Sequence, residues 1–278
     1  MTLAGRLATK LSRITSSSVH VPLAEEREGF RRAQRLAYQC ALGISKELKE
    51  GWTERETATL MDTFLMDHGV RTFFHKSFAW FGDRTRFSGF TKYAHFMPST
   101  TRLKEDDVII LDTAPVFEQY AGDIGYTTSL KPNPALDIAK ERLLKFRRDI
   151  PGFFESEMTP SQIWARVDQE LKESGYDNIH SMYPFAVLGH RMHRMPLSNL
   201  PGIAIPFSLH SYWALLSRGL FPELLSPDHE GEKIGVWAIE PHLGGAGFGA
   251  KFEEILVVEK DRCYWLDDQV PHLMESHL

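Results

Sequence analysis

The stretch of sequence that decides the fold is residues 106–128, which read DDVIILDTAPVFEQYAGDIGYTT. Two apolar runs flank the polar pair Glu118 and Gln119, and this pattern predicts two strands joined by a turn. Each predicted strand carries an aspartate, Asp112 or Asp123, where a buried face should be hydrophobic. A carboxylate buried without a partner is costly because it loses its hydration. The two aspartates therefore either lie in solvent at strand ends or share a cation, and this stretch alone leaves both interpretations open.

The composition limits what the chain can bind. Its 278 residues are enough for one large domain, and a net charge of -5 gives no sign of a nucleic-acid-binding surface. We expect a peptide or small-molecule partner instead. The two cysteines, Cys40 and Cys263, lack metal-type spacing and form no disulfide framework, which favours a cytoplasmic location. No apolar run approaches the roughly 20 residues of a transmembrane helix.

The first residues differ in composition from the rest. Residues 1–20 contain Arg6, Lys10 and Arg13, many serines and threonines, and no acidic residue. We predict that residues 1–22 form a basic, flexible leader and that residues 23–278 form a single domain. An organelle transit segment or an amphipathic surface helix is the alternative interpretation of this leader.

The chain before the aspartate stretch predicts two helices and a strand. Helical periodicity runs from Glu25 to Leu48. Thr53, three residues before Glu56, forms a capping-box pattern that opens a second helix ending at Gly69. The aromatic-rich residues 72–81 predict a strand.

After the aspartate stretch the same order returns. Residues 135–146 are helical in pattern, and Thr159 with Gln162 predicts the cap of another helix, which ends at Gly175. Strand-like segments follow it. Each half thus predicts two helices and then strands, an internal repeat of structure without clear sequence identity.

Three more ligand-type residues lie in strand-like apolar segments of the second half. They are His190, Glu240 and Glu253, the last in a predicted strand over residues 250–258. Together with Asp112 and Asp123 they make the ligand set expected for two hard divalent cations bridged by carboxylates. A further histidine, His95 in the apolar run YAHFMP, is equally compatible with a hydrogen-bonded core position.

These residues resemble the methionine aminopeptidase, Xaa-Pro aminopeptidase and prolidase family, peptidase family M24, over roughly residues 25–266. The most specific parts are the aspartates eleven apart, the Gly189-His190 step, Ile239-Glu240-Pro241 and Phe252-Glu253. The resemblance implies an α+β pita-bread (creatinase/aminopeptidase) fold. In that fold two pseudo-twofold halves each pack two helices on a curved, mostly antiparallel sheet.

The resemblance also implies roles for individual residues. Asp112 would be a terminal ligand of one metal, Asp123 and Glu253 would bridge, and His190 and Glu240 would complete the other. His95 and His193 would contact the substrate or stabilise its tetrahedral intermediate, and Glu240 would shuttle the proton.

The function implied is that of a dinuclear metal-dependent hydrolase. It would cleave an amide bond of a peptide or small peptide-like substrate with a metal-bridging water. Oxygen-rich ligands with one imidazole favour two Mn²⁺ or Fe²⁺ ions, with Co²⁺ or Zn²⁺ possible. Members of such families occur as monomers and as dimers, so a homodimer is possible.

The sequence departs from the family pattern in two places. Only Arg191 and Met192 separate His190 from His193, where family members have a longer glycine-rich turn. Residues 197–235 form an unusually apolar segment that is either a packed helix or a lid over the substrate. Two alternatives therefore remain: a metalloenzyme of the same fold with lyase or other small-molecule chemistry, and a non-catalytic binding module.

Overall fold

The computed structural model describes residues 20–195, 220–229, 231–245 and 247–274. The predicted leader therefore lies almost entirely outside the described residues. Residues 197–219 of the apolar segment also lie outside them, and with them the choice between a packed helix and a lid. Among the helices of the described residues, none is long and apolar enough to cross a membrane.

The first half begins with two helices, α1 (Ala24–Glu47) and α2 (Glu54–Asp67). The predicted capping box of α2 is confirmed. The Glu56 N–H donates to Thr53 Oγ1 at 3.2 Å, and the Thr53 N–H donates to Glu56 Oε2 at 2.8 Å. These bonds satisfy backbone donors that a helix start leaves without partners, so α2 begins where its sequence predicts.

Four antiparallel strands complete the first half: β1 (Thr72–Phe81), β2 (Val108–Phe117), β3 (Tyr120–Ala121) and β4 (Ile124–Ser129). A 3₁₀ turn (Gly82–Arg86) and a short helix, α3 (Tyr93–Phe96), lie between β1 and β2. β2 pairs with β1 on one side and with β3 and β4 on the other. The predicted turn in residues 106–128 is confirmed, since Glu118 and Gln119 both have positive φ.

The second half begins with α4 (Pro134–Glu155) and α5 (Pro160–Glu173). α4 continues past the predicted end at residue 146 and through Pro151. Proline has no N–H to donate to the carbonyl of Arg147 four residues earlier. That carbonyl instead accepts a hydrogen bond from Trp265 Nε1 at 2.6 Å, so tertiary structure supplies the partner that the helix loses.

The remaining strands form two further sheets. They are β5 (Asp177–Asn178), β6 (Gly189–Arg191), β7 (Leu224–Leu225), β8 (Gly235–Ile239), β9 (His242–Gly245), β10 (Phe248–Lys251), β11 (Glu254–Val258) and β12 (Cys263–Trp265). One sheet has the order β10-β9-β5 and the other β12-β11-β8-β6-β7. A last short helix, α6 (Pro271–Met274), follows. Within the described part of the apolar segment, β7 pairs with β6 at one end of this strand order.

The predicted single strand over residues 250–258 is wrong in one respect. The structure divides it into β10 and β11, which belong to different sheets, with Phe252 and Glu253 at the junction. Glu253 forms an isolated bridge to Gly125 of β4. The break turns the Glu253 backbone toward the first half, and this contact between the halves could not be read from local sequence.

The predicted internal repeat of structure is confirmed: each half has two helices and then antiparallel strands. One apolar core lies around α1, α2, β1 and β2, and another around α4, α5, β8 and β11. A third apolar cluster joins the halves and includes Phe30, Ala114 and Ile255. The site described below lies at this junction.

Gly122 allows the chain just before Asp123 to lie close to α1. A Cβ atom at Gly122 would lie 2.2 Å from the Ala33 carbonyl carbon and 2.5 Å from the Gln34 nitrogen, both in the backbone of α1. Backbone atoms of a buried helix cannot move aside as a side chain can. Glycine at this position therefore lets the β3–β4 connection lie directly against α1.

We expect Gly122→Ala to lower the free energy of unfolding by about 3 kcal/mol, because the added methyl overlaps the α1 backbone. Gly152→Ala is the matched control, since Gly152 lies in α4 with nothing within 4 Å of an added Cβ. The control should raise stability by about 0.5–1 kcal/mol. Urea denaturation measures both, and equal stability of the two variants would contradict the close approach.

Candidate metal centre

The structure brings the five predicted ligands together at the junction of the halves. Ligand atoms of Asp123, His190 and Glu253 lie within 4.8 Å of one another, and so do those of Asp112, Glu240 and Glu253. All five residues are buried. Since Glu253 belongs to both groups, the arrangement offers two adjacent cation positions that share one carboxylate.

Strand register explains how the first-half ligands meet Glu253. Asp112 on β2 lies opposite Gly125 on β4, and Gly125 bridges to Glu253. Asp123 lies immediately before β4, two residues from Gly125. Two carboxylates of the first half and one of the second half therefore converge near one glycine.

The second-half ligands are placed by β6 and β8. Gly189 on β6 lies opposite Ile239 on β8, and the Glu240 N–H donates to the Leu188 carbonyl at 2.8 Å. The His190 ring stacks on Phe74 of the first half, with ring centroids 5.0 Å apart. His190 Nε2 lies 3.1 Å from Asp123 Oδ2, so the imidazole is already oriented toward the first half.

His75 is a site residue that sequence reasoning missed. Its Nε2 lies 3.0 Å from Asp123 Oδ1 and 3.5 Å from Asp112 Oδ1. Burial alone would lower the pKa of His75, but the two carboxylates outweigh that effect and raise this pKa to about 9. The only sequence signal for His75 is its place in an aromatic, strand-like segment. His95, in its apolar run, gives the same kind of signal.

Lys251 is the second residue that was missed. Its Nζ donates to Asp112 Oδ2 at 2.7 Å, to Glu240 Oε2 at 2.7 Å and to Glu253 Oε2 at 3.0 Å. Burial alone would lower the pKa of Lys251, but the surrounding carboxylates outweigh burial and hold this pKa well above its usual range. The ammonium group thus contacts three of the five predicted ligands.

The pKa values of the buried carboxylates shift in different directions, depending on the charges around each one. For Asp123, burial would raise the pKa, but the imidazoles of His75 and His190 outweigh it and lower this pKa. Burial raises the pKa of Glu240 despite the nearby Lys251. Burial, with the charges of Asp123 and Glu240, raises the pKa of Glu253 well above its ordinary value. The two imidazoles thus favour the charged form of Asp123, whereas burial disfavours the charged forms of Glu240 and Glu253.

The structure places His95 and His193 outside these ligand groups. His95 lies on α3, where its Nδ1 accepts the Thr91 N–H at 3.1 Å. The Nε2 of His193 pairs with Glu223, whose carboxylate is almost fully buried. Among the described residues, neither imidazole has a hydrogen bond to the five predicted ligands, so the substrate roles of both histidines stay predictions.

A family model for metallopeptidase family M24 matches residues 28–260. The chain belongs to this family. A curated relative, an uncharacterised peptidase of Staphylococcus aureus, is 30% identical over 111 residues, which are 39% of this chain and 30% of the relative. The chain thus spans less than a third of that relative's length.

Solved structures agree with the family. An X-Pro aminopeptidase from Thermotoga maritima matches 95% of this M24 chain and 65% of its own, with TM-score 0.67 and 17% identity. A prolidase from Pyrococcus furiosus matches 95% of this chain and 68% of its own, with TM-score 0.66 and 18% identity. At these identities the likeness establishes the pita-bread fold, which confirms the fold predicted from the sequence.

The donor residues of this M24 chain suit a divalent cation at both positions, but those at one position already bind a lysine. Asp123, His190 and Glu253 supply two carboxylates and an imidazole, as hard and borderline divalent ions prefer. At the other position, Asp112, Glu240 and Glu253 have the right chemistry but already bind Lys251. The site is therefore unequal in its two parts.

We expect His75→Ala to weaken Mn²⁺ binding by about 10- to 100-fold, because residues that orient a ligand carboxylate have effects of this size. His75 would act by holding Asp123 Oδ1. Isothermal titration of the metal-free protein measures the affinity. His68→Ala, at the exposed end of α2, is the control and should bind as the wild type does. Unchanged affinity in His75→Ala would contradict this role.

Proposed function

We propose that this chain is a divalent-metal-dependent peptidase of the aminopeptidase or prolidase type, which hydrolyses an amide bond of a peptide or small peptide-like substrate. The observation that supports it best is the convergence of five buried ligand-type residues from both halves of an M24 fold. They are Asp112, Asp123, His190, Glu240 and Glu253. A buried cluster of four carboxylates is costly without cations, and a peptidase site needs such a cluster.

The donor atoms favour Mn²⁺ or Fe²⁺, with Co²⁺ or Zn²⁺ as substitutes, because they are carboxylate oxygens and imidazole nitrogen without thiolate. The family resemblance implies two ions, one held by Asp112 and the other by His190 and Glu240, with Asp123 and Glu253 shared between them. When bound, a divalent ion polarises the substrate carbonyl and makes a water molecule acidic enough to attack near neutral pH.

The protein's own residues would hold the substrate and move the proton. Glu240 is the residue we propose to accept and return the proton, as the family resemblance implies. Burial raises the pKa of its carboxyl above the ordinary value. Glu223 fixes the imidazole of His193 at the start of the segment after β6. His193 would then present its other ring nitrogen to the substrate carbonyl, and His95 would bind from the α3 side.

The proposal also includes a cellular compartment and an oligomeric state. Cys40 and Cys263 are both free and buried, which supports the reducing cytoplasm as the compartment. A homodimer stays a prediction, which gel filtration with light scattering tests.

The test is an activity assay on metal-reconstituted protein with Xaa-Pro dipeptides, methionyl peptides and other dipeptides. Asp123→Asn and Glu253→Gln should each lose at least about 100-fold in turnover, because even outer-shell changes at metal sites cost 10–100-fold. Circular dichroism checks that both variants fold. Glu118→Gln, at the exposed turn after β2, is the charge-matched control and should keep full activity.

The thermal midpoint, measured with bound metal and after chelation, is a second test on the same samples. Metal binding to the folded state should raise the thermal midpoint of the wild type and not that of Asp123→Asn. Turnover of a small metabolite without any peptide turnover would instead favour a same-fold enzyme with different chemistry. Neither metal binding nor turnover would contradict the proposal and favour a binding module.

A further inference from the structure

Three consecutive backbone carbonyls around His95 accept hydrogen bonds from side chains of another segment. Arg84 Nη2 donates to the carbonyls of His95 and Met97 at 3.1 and 3.0 Å. Trp80 Nε1 donates to the Phe96 carbonyl at 2.7 Å. Both donors belong to β1 and the 3₁₀ turn that follows it. Since a single helical turn such as α3 is unstable by itself, these bonds hold it in place.

Arg84 is in turn fixed by the carboxylate of Glu54, at the start of α2. The Arg84 Nε donates to the two carboxylate oxygens at 2.7 and 2.9 Å. The carboxylate also accepts the Phe81 N–H at 3.1 Å, and the N–H and hydroxyl of Ser99 at 2.8 and 2.7 Å. Glu54 is completely buried, so these bonds replace its hydration and give the guanidinium a defined position.

Strand β1 places the Trp80 side chain close to the metal centre. Phe78 on β1 lies opposite Asp112 on β2, and Trp80 comes two residues later, opposite Ile110. The rings of Phe78 and Trp80 stack with centroids 5.1 Å apart. One strand therefore carries both the residue opposite a predicted metal ligand and a donor that holds α3.

The imidazole of His95 has a defined tautomer. Its Nδ1 accepts the Thr91 N–H at 3.1 Å, so the proton of the neutral ring is on Nε2. Nε2 can then donate a hydrogen bond to a carbonyl oxygen. The Phe90 ring packs against this imidazole with centroids 6.2 Å apart, and the Arg84 guanidinium lies 4.9 Å from the Phe90 centroid. Arg84 thus supports the ring of His95 as well as its backbone.

We propose that Arg84 is a positioning residue, which holds His95 so that its Nε2–H donates to the carbonyl of the substrate. This inference rests on the proposed function for the substrate role of His95, and it adds the residues that prepare this role. Glu54 keeps the guanidinium in place, and Trp80 binds the carbonyl between the two that Arg84 binds. A donor that is aligned in advance needs no reorganisation when negative charge develops on the substrate oxygen.

The experiment compares peptide turnover by the Mn²⁺-loaded full chain with turnover by variants of Arg84. Arg84→Met should lower kcat about 10- to 100-fold with little change in KM, because a misplaced donor fails mainly in the transition state. Its affinity for Mn²⁺ should not change. Arg84→Lys keeps a positive charge beside Glu54 and should recover part of the lost turnover. Arg55→Met, at an exposed position of α2, is the control and should match the wild type.

A double-mutant cycle with His95→Gln separates positioning from general damage to the fold. If Arg84 acts through His95, Arg84→Met should not lower kcat further in a His95→Gln background.

Nitrogen-15 NMR of the neutral imidazoles in alkaline solution is a readout that needs no turnover. The signal of His95 is assigned by its loss in His95→Gln. It should show the Nε2–H tautomer in the wild type and a mixture of tautomers in Arg84→Met, because the Thr91 N–H no longer holds Nδ1.

Trp80→Phe is a second variant for the case in which Arg84→Met does not fold. It removes the donor to the Phe96 carbonyl and leaves the ion pair of Glu54 and Arg84 intact. It should show the same changes in kcat and in the NMR signal, to a smaller extent.

Equal losses from Arg84→Met in the wild-type and His95→Gln backgrounds would overturn this inference and leave the proposed function intact. Full turnover by folded Arg84→Met, or an Nδ1–H tautomer of His95 in the wild type, would overturn it as well. No turnover of any peptide by the wild type would overturn the proposed function, and with it the substrate role that this inference requires.

Discussion

The structure depends on the neutralisation of four buried carboxylates at the junction of its halves. Asp112, Asp123, Glu240 and Glu253 would repel one another in a low-dielectric interior, and each would lose its hydration. The fold places cationic groups among them: the ammonium of Lys251 on one side and two imidazoles on the other. A divalent ion bound to Asp123, as proposed above, would add to this compensation. Without these cationic groups, repulsion among the four carboxylates would oppose the close approach of the two halves.

Small residues make the dense arrangement possible. Gly122 lets the chain before Asp123 lie against α1, and Gly125 leaves room for the lysine stem between Asp112 and Glu253. Strand pairing within each half, together with the bridge between Gly125 and Glu253, then positions the five ligands relative to one another. Metal binding should therefore stabilise the contact between the halves as well as the site itself, because the ligands come from both.

Much of the fold could be predicted because its signals are local. The capping box at Thr53, the aromatic strand over residues 72–81 and the turn at Glu118 depend on neighbouring residues, and the structure confirms them. The continuation of α4 through Pro151 could not be predicted, since its compensation comes from the distant Trp265. The break at Glu253 was missed for a similar reason: its bridge partner is Gly125.

The site was predictable only in part. The five ligand-type residues share a pattern, an acid or histidine in apolar strand sequence, and the structure brings them together. His75 has the same pattern as His95, and no local signal distinguishes them. Lys251 stands beside Phe252 and Glu253 as an ordinary charged residue. Only the pairing of β10 with its neighbours shows that its ammonium group points into the carboxylates.

The most direct test of this account is a crystal structure of the Mn²⁺-loaded protein with anomalous diffraction at the manganese edge. The account predicts manganese at the junction of the halves, bound by ligands from both of them, with Asp123 and Glu253 among those ligands. A peak elsewhere, or none at full Mn²⁺ concentration, would contradict the metal centre itself.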